Sequence, residues 1–433
     1  MILTQSVLLT EKNWFFFFWN LKAVLKLKNK VFINLRLFSF GQRQFSQSIF
    51  KIFQNKNTKI LIFVNHMPFK SKHSTSQQVL RITETVSLRF NENKSTAMTL
   101  LDIQRAFDTV WHEALLHKIK LNEFSNYLVK IVASFLQNRV SFVTVNKGKS
   151  ERFPIPAGVP QGSPLSPFLF NLYINDVPIP RHCKIAVYAD DTALYSSIEN
   201  YNLPELVNRM ESGLAEIESY FSSWKIGLNT TKTESILFTK SKIMIDKLDA
   251  NRIHFKGTTL EWQNVVKYLG VLLDSKLLMK QNIENNIVKA RKATGLLYSL
   301  LKKNSAVPLK SKITLYRSYI RPILTYACPV YANAAKLHIK KLQVAQNKNL
   351  RMVLSAPYRT QSHLLHKRTN IPTIKDFIAK LTKSFYRNSA RSENELVKRL
   401  GEYSSRSPFP RLKHKLPRPS LWWVAFHRSK LEY

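Results

Sequence analysis

The chain predicts an α+β fold, on three observations. Short apolar runs that end in carboxylates read as strands. Stretches with apolar residues at helical spacing lie between them. From about Gln281 onward the pattern becomes helical throughout. A length of 433 residues allows about two or three domains and a sizeable core.

The elements follow in order. Val79, Ile82, Val86 and Phe90 mark a helix that leads into the polar turn Asn91 to Ser95. Met98, Leu100 and Leu101 read as a buried strand ending at Asp102, a carboxylate placed to meet a hairpin tip on a neighbouring strand. A helix pattern then begins near Asp108, with Val110, Trp111, Leu115 and Ile119, and Asp108 reads as its cap. The stretch from Ala157 to Pro167, AGVPQGSPLSP, has its backbone set by glycine and proline. Ser166-Pro167 reads as an N-cap with a first-turn proline, followed by a helix over Phe168 to Asn175. Such a loop lets backbone and the Gln161 amide approach a flat ligand closely.

Tyr188-Ala189-Asp190-Asp191 is flanked by the apolar runs Ile185 to Val187 and Ala193 to Tyr195. Neighbouring strand residues point to opposite faces, so adjacent carboxylates converge only at a turn. Two carboxylates about 4 Å apart repel by about 4 kcal/mol at an effective dielectric near 20, so a fold that builds such a pair needs divalent cations to neutralise it. Residues 202 to 224 form a helix pattern with Leu206, Met210, Leu214, Ile217 and Phe221 on one face, and Ser235 to Phe238 reads as a strand after Lys232. Helices there would cover one side of a sheet and leave the carboxylate side open. Ile283, Ile287, Ala290 and Leu297, then Leu309, Ile313, Tyr316 and Ile320, form core seams with basic faces opposite. Residues from Ser405 to Ser420 are proline-rich and basic, a linker or disordered arm.

The net charge is +40, with 67 Lys and Arg against 27 Asp and Glu, which points to a polyanionic partner. Nucleic acid and an anionic membrane surface are the candidates. Basic residues spread along the whole chain favour a channel or cleft, so no membrane partner is expected. With only Cys183 and Cys328, neither a disulfide framework nor a Cys/His zinc cluster can be built, and a reducing compartment fits. His73, His112 and His117 have no metal-ligand spacing and read as surface or packing residues. Before Glu84 the only acidic residue is Glu11, and Lys, Asn, Phe and Ile dominate. Three readings of residues 1–65 stay open: translated flanking or degraded sequence (preferred), an organelle presequence, or a local fold. The apolar run Trp14 to Trp19 is far shorter than the ~18 residues of a membrane span.

Asp102 with Phe107, then GVPQGSPLSP, then YADD, in this order, resembles the palm of reverse transcriptases, with wording closest to non-LTR retrotransposons of the jockey type (LINE elements). Ser71 to Gln78 resembles a finger segment, Leu228 to Thr233 the next palm motif, and Tyr268-Leu269-Gly270-Val271 the primer-grip hairpin. Tyr319 to Pro322 and Leu342 to Asn347 resemble the thumb and the segment after it. The resemblance implies a right-hand polymerase palm, with an antiparallel sheet bearing the YADD hairpin and helices on one face, followed by a helical thumb and C-terminal region. It divides the chain into a degenerate or disordered segment (1–65), partial fingers and palm (66–278), a helical thumb and connection-like region (279–404) and a basic tail (405–433).

The same resemblance implies an RNA-directed DNA polymerase. It would extend a DNA primer on an RNA template, the element's own RNA, with dNTPs and two Mg²⁺ ions, Mn²⁺ being a substitute. Asp102, Asp190 and Asp191 would be catalytic and hold the metals. Phe107 would exclude a ribose 2′-hydroxyl, Gln161 and Gly162 would meet the templating base pair, Lys232 would protonate pyrophosphate or contact phosphate, and Leu269 and Gly270 would form the primer grip. Two departures matter. No room exists for the family's endonuclease domain ahead of the polymerase, so nicking would come in trans. Early finger motifs are not recognisable before Asn65, and Lys70 stands where the family usually has an arginine, offering a point charge instead of a bidentate fork. The alternative is an inactive, truncated remnant that only binds nucleic acid. Either protein would be intracellular, nuclear or cytoplasmic.

Overall fold

The computed structural model of the chain describes residues 6–9, 73–145, 148–199 and 202–401. The expectations for Lys70, for the basic tail and for all but a short strand of residues 1–65 lie outside the described residues.

The central sheet joins β1 (Ser95–Ile103), β2 (Lys184–Tyr188), β3 (Asp191–Ile198) and β4 (Leu228–Phe238). It is antiparallel throughout, in the order β2-β3-β1-β4. The central strand β1 is buried along most of its length, which its alternation explains. Ala97, Leu101 and Ile103 enter one apolar core, while Met98 and Leu100 face a second.

The first core is closed by α2 (His112–Leu121), α3 (Asn126–Leu136), α4 (Ser166–Tyr173) and α5 (Leu203–Ser223). The α5 stripe Leu206, Met210, Leu214, Ile217 and Phe221 is fully buried, as its spacing predicts. Each such side chain contributes roughly 1.5–3 kcal/mol relative to exposure. Lys118 ties these helices together. Its ammonium donates to the Tyr173 carbonyl (2.6 Å), to Asp176 (2.6 Å) and to the Tyr220 hydroxyl (2.8 Å), and sits 3.6 Å from the Trp224 ring centre.

Helices therefore cover one face of the sheet as expected, but the other face is not bare. It is packed by Val79, Ile82 and Val86 of α1 (Thr75–Asn91) and by the hairpin β5 (Val265–Tyr268)–β6 (Val271–Asp274). The accessible part is the end of the sheet at the β2–β3 turn, where Asp190 and Asp191 are exposed and Asp102 is half-buried. Beyond β6 the described chain is helical, with α6 (Lys280–Leu296), α7 (Lys336–Leu354) and α8 (Ile374–Ser389) the longest helices. Ile283, Ile287, Ala290, Tyr316 and Ile320 are buried there as predicted, whereas Leu309 is 46% exposed and lies off the seam. The Tyr386 hydroxyl, 3.4 Å from the Glu84 carboxylate, links α8 back to α1.

Two expected helix starts are displaced. The chain from Gln104 to Thr109 is a series of turns with Arg105 at φ +46°, so α2 begins at His112 and Asp108 does not cap it. Helix α4 begins at Ser166, one position earlier than a Ser166 cap would allow. The Ser166 hydroxyl donates instead to the Pro160 carbonyl (2.5 Å), closing the preceding loop.

Candidate active site

The β2–β3 hairpin closes on the Tyr188–Asp191 pair, leaving Ala189 and Asp190 as a two-residue loop. Of these two only Ala189 has positive φ (+57°), the pattern of a II′ hairpin, whose twist matches the flanking strands. Asp191 is the first residue of β3 and lies directly opposite Asp102 of β1. Directly paired residues share a face with Cβ atoms about 5 Å apart. The register therefore brings Asp102, the hairpin-tip Asp190 and Asp191 to one end of the sheet. Although Asp191 remains reachable by solvent, partial burial and then the charges of Asp190 and Asp102 push its carboxyl up to about 6, against an opposing pull from Lys267.

Lys232 is delivered to the same place by an irregularity in β4. Asp102 pairs with Asn229 and Leu100 with Glu234, so Thr230, Thr231, Lys232 and Thr233 all bulge out opposite Leu101. The Asn229 side chain caps this bulge, accepting from the Thr231 amide (3.1 Å) and hydroxyl (2.8 Å), and the Thr233 hydroxyl donates to the Asn229 carbonyl (2.8 Å). The Lys232 ammonium ends 3.9 Å from Asp102, an exposed pair that solvent screens.

The donor set suits a hard divalent cation, because carboxylate oxygens are what Mg²⁺ prefers, and after burial the charges of Asp190 and Asp102 also raise the Asp191 carboxyl. Among the described residues no group of His, Cys, Asp or Glu is gathered closely enough to hold a metal ion as it stands. A test follows from the sign of the Asp191 shift. A carboxyl raised above its ordinary value binds a proton more tightly in the folded state, so it lowers stability as pH rises from about 4 to about 6. Thermal melts of Asp191→Asn, compared with the unsubstituted chain, should lack this part of the pH slope. Added Mg²⁺ at neutral pH should raise the melting temperature of the unsubstituted chain alone.

A second cluster surrounds the GVPQG loop. The Val159 amide donates to the Phe107 carbonyl (2.7 Å) and the Gly158 amide to the Val110 carbonyl (2.8 Å), so the loop runs against the Phe107–Val110 turn. Gly158 has φ +84°, and a Cβ there would lie 2.7 Å from the Asp108 backbone, so only glycine fits. The half-buried Phe107 ring rests on the buried Phe170 ring with centres 5.1 Å apart, which holds it rigid. The Gln161 amide donates to Asp108 (2.9 Å), giving Asp108 a role its expected cap did not. Gly162 (φ +87°) faces open space.

The β5–β6 hairpin turns on Leu269 (φ +46°) and Gly270 (φ +81°), both positive as a I′ turn requires. Its tip is held by Tyr326, whose hydroxyl donates to the Leu269 carbonyl (2.8 Å). Tyr268, just before the turn, is held by the buried Gln78, which donates to the Tyr268 hydroxyl (3.3 Å) and the Val187 carbonyl (3.4 Å), tying the hairpin to β2. Tyr326, Lys267 and Arg139 carry no spacing signal in the sequence, Gln78 closes the segment that resembles a finger motif, and His112, read as a surface or packing residue, contacts the Gly158 carbonyl.

A family model described as reverse transcriptase (RNA-dependent DNA polymerase) matches residues 23–273, more than half of the chain. The chain belongs to the reverse transcriptase family. Reverse transcriptases generally use divalent metal ions. The match begins ahead of Asn65. The jockey-type resemblance is borne out: the chain is 30% identical over 361 residues to the RNA-directed DNA polymerase from mobile element jockey of Drosophila melanogaster, covering 81% of this chain and 38% of that protein. It is 29% identical over 355 residues to the probable RNA-directed DNA polymerase from transposon BS of the same fly, covering 80% and 38%. The chain thus spans less than two-fifths of the length of these relatives. Among solved structures it is similar to telomerase from Candida tropicalis in complex with a fragment of telomeric RNA, at TM-score 0.35 and 13% identity, covering 83% of this reverse transcriptase chain and 56% of the telomerase.

Proposed function

We propose that this chain is the RNA-directed DNA polymerase of a jockey-type non-LTR retrotransposon, extending a DNA primer on the element's RNA. The observation that carries the reading is the in-register pairing of Asp102 with Asp191 beside the hairpin-tip Asp190, at the accessible end of the sheet. Asp102, Asp190 and Asp191 would hold two Mg²⁺ ions (Mn²⁺ as a substitute), which when bound supply charge neutralisation and an acidified primer hydroxyl.

The chain's own residues position the reactants. Phe107, braced by Phe170, presents a rigid ring beside the sugar of an incoming nucleotide, where a 2′-hydroxyl would collide. Gln161 and Gly162 form the open floor for the templating base pair, with Gly162 admitting close backbone approach. Lys232 exchanges its Asp102 contact for a phosphate of the dNTP. Leu269 and Gly270 grip the primer end, and Lys70 meets the triphosphate from the fingers. Residues 66–278 serve as fingers and palm, 279–404 as thumb and connection, and 405–433 as a basic tail. The protein works inside the cell, in nucleus or cytoplasm. No helix among the described residues is long and apolar enough to cross a membrane.

Primer extension on an RNA template tests the proposal. Mg²⁺-dependent incorporation of dNTPs by the unsubstituted chain supports it, and tight RNA binding with no incorporation would favour the remnant that only binds nucleic acid. Phe107→Ala gives a further check. Opening the space beside the sugar should raise rNTP incorporation relative to dNTP by about 10–200-fold, the range for filling or emptying a small steric pocket, read from paired kcat/KM values.

A further inference from the structure

The carbonyls of Ala157 and Gly158, at the head of the GVPQG loop, are held by two side chains from elsewhere in the chain. Arg139, only 3% exposed, donates through Nη2 to the carbonyls of Ala157 (2.8 Å) and Gly158 (2.6 Å), and through Nε to the Leu136 carbonyl (3.2 Å). His112 places Nε2 2.8 Å from the same Gly158 carbonyl. A carbonyl only accepts, so Nε2 carries the hydrogen. The Arg139 nitrogen 3.3 Å from Nε2 is then a second donor converging on one acceptor, not a bond between the two side chains. Burial holds the imidazole below its ordinary pKa, consistent with the neutral Nε2–H form.

Burying a guanidinium is costly unless its donors are satisfied, and here Arg139 donates to three backbone carbonyls. The held segment is also the junction of the second cluster. Gly158 and Val159 bond to Val110 and Phe107, and Gln161 bonds to Asp108. One clasp therefore sets the height of the loop that carries Gln161 and Gly162, and the backbone of Phe107.

We infer that Arg139 and His112 are positioning residues that fix the GVPQG loop and Phe107 together, so that base selection and sugar selection depend on the same buried clasp. This rests on the proposed polymerase activity. Neither side chain carries the chemistry. Both act through the loop.

The test uses Arg139→Lys, which keeps the charge but loses the fork, and the pair His112→Phe and His112→Gln, of which only Gln can still donate to the Gly158 carbonyl. Hydrogen exchange at the Gly158 and Val159 amides reads the clasp whether or not DNA is made. Exchange there should quicken in Arg139→Lys and His112→Phe and return toward the original rate in His112→Gln. In primer extension, kcat with the correct dNTP should fall about 10–100-fold, the cost of misplacing a bound reactant by about an ångström. Misincorporation and rNTP acceptance should rise, and RNA binding should stay unchanged. Unchanged amide exchange in both Arg139→Lys and His112→Phe would overturn the clasp. Quickened exchange with wild-type kcat and sugar selectivity would overturn its positioning role. Should the unsubstituted chain make no DNA, the polymerase reading fails, and the coupling of base to sugar selection falls with it.

Discussion

Asp190→Ala is expected to abolish RNA-templated synthesis while leaving the fold and RNA binding intact. Asp190 sits in the two-residue loop of the β2–β3 hairpin, exposed, and makes no contact that the sheet depends on. Its loss removes one of three carboxylates that would share the cations. Stabilisation of transition-state charge by such ions is worth several kcal/mol, and about 4 kcal/mol is about a thousandfold in rate. Single-turnover primer extension with the variant should therefore fall by at least about a thousandfold. The melting temperature should stay level or rise, because a like charge beside Asp191 has gone. A variant that retains most of the original rate would remove Asp190 from the chemistry.

Gly158→Ala should be the most damaging single-methyl change in the palm. The new Cβ would press on the Asp108 backbone at 2.7 Å, and φ +84° is a conformation that alanine resists. Backbone strain and overpacking each cost about 1–3 kcal/mol, so a loss near 3 kcal/mol or more is expected in urea unfolding. Gly162→Ala separates the two effects. Its φ of +87° is as unfavourable, but nothing lies within 4 Å of the added methyl, so only the strain remains, about 1 kcal/mol. Equal losses at the two glycines would contradict the close approach of the loop to the Phe107–Val110 turn. Gly162→Ala should still impair synthesis, since its methyl would enter the space proposed for the base pair.

Much of this site could be read from the residues alone because the signals are local. A pair of carboxylates between two apolar runs forces a hairpin, and a strand ending in Asp102 needs only to lie beside it. The stripes of α1 and α5 are visible because helical spacing exposes them directly. What escaped notice depends on chain segments that are distant in sequence. Asp108 looked like a cap because a helical pattern followed it, but Arg105 at positive φ keeps the chain turning until His112. The Lys232–Asp102 contact needs the bulge that Asn229 caps, and an irregular register leaves no periodic trace. Arg139 looks like an ordinary strand-edge charge until the loop folds over it. The second face of the sheet was missed because α1 and the β5–β6 hairpin, far apart in sequence, cover it together.

The account stands on the joint use of Asp102, Asp190 and Asp191 to bind cations. Electron paramagnetic resonance of Mn²⁺ bound to the chain with primer, RNA template and a non-extendable dNTP analogue measures this directly. Two bound ions per complex are predicted for the unsubstituted chain, with binding lost or greatly weakened in Asp102→Asn. Equal Mn²⁺ occupancy in Asp102→Asn would show that the paired carboxylates at the sheet end are not where the metals bind.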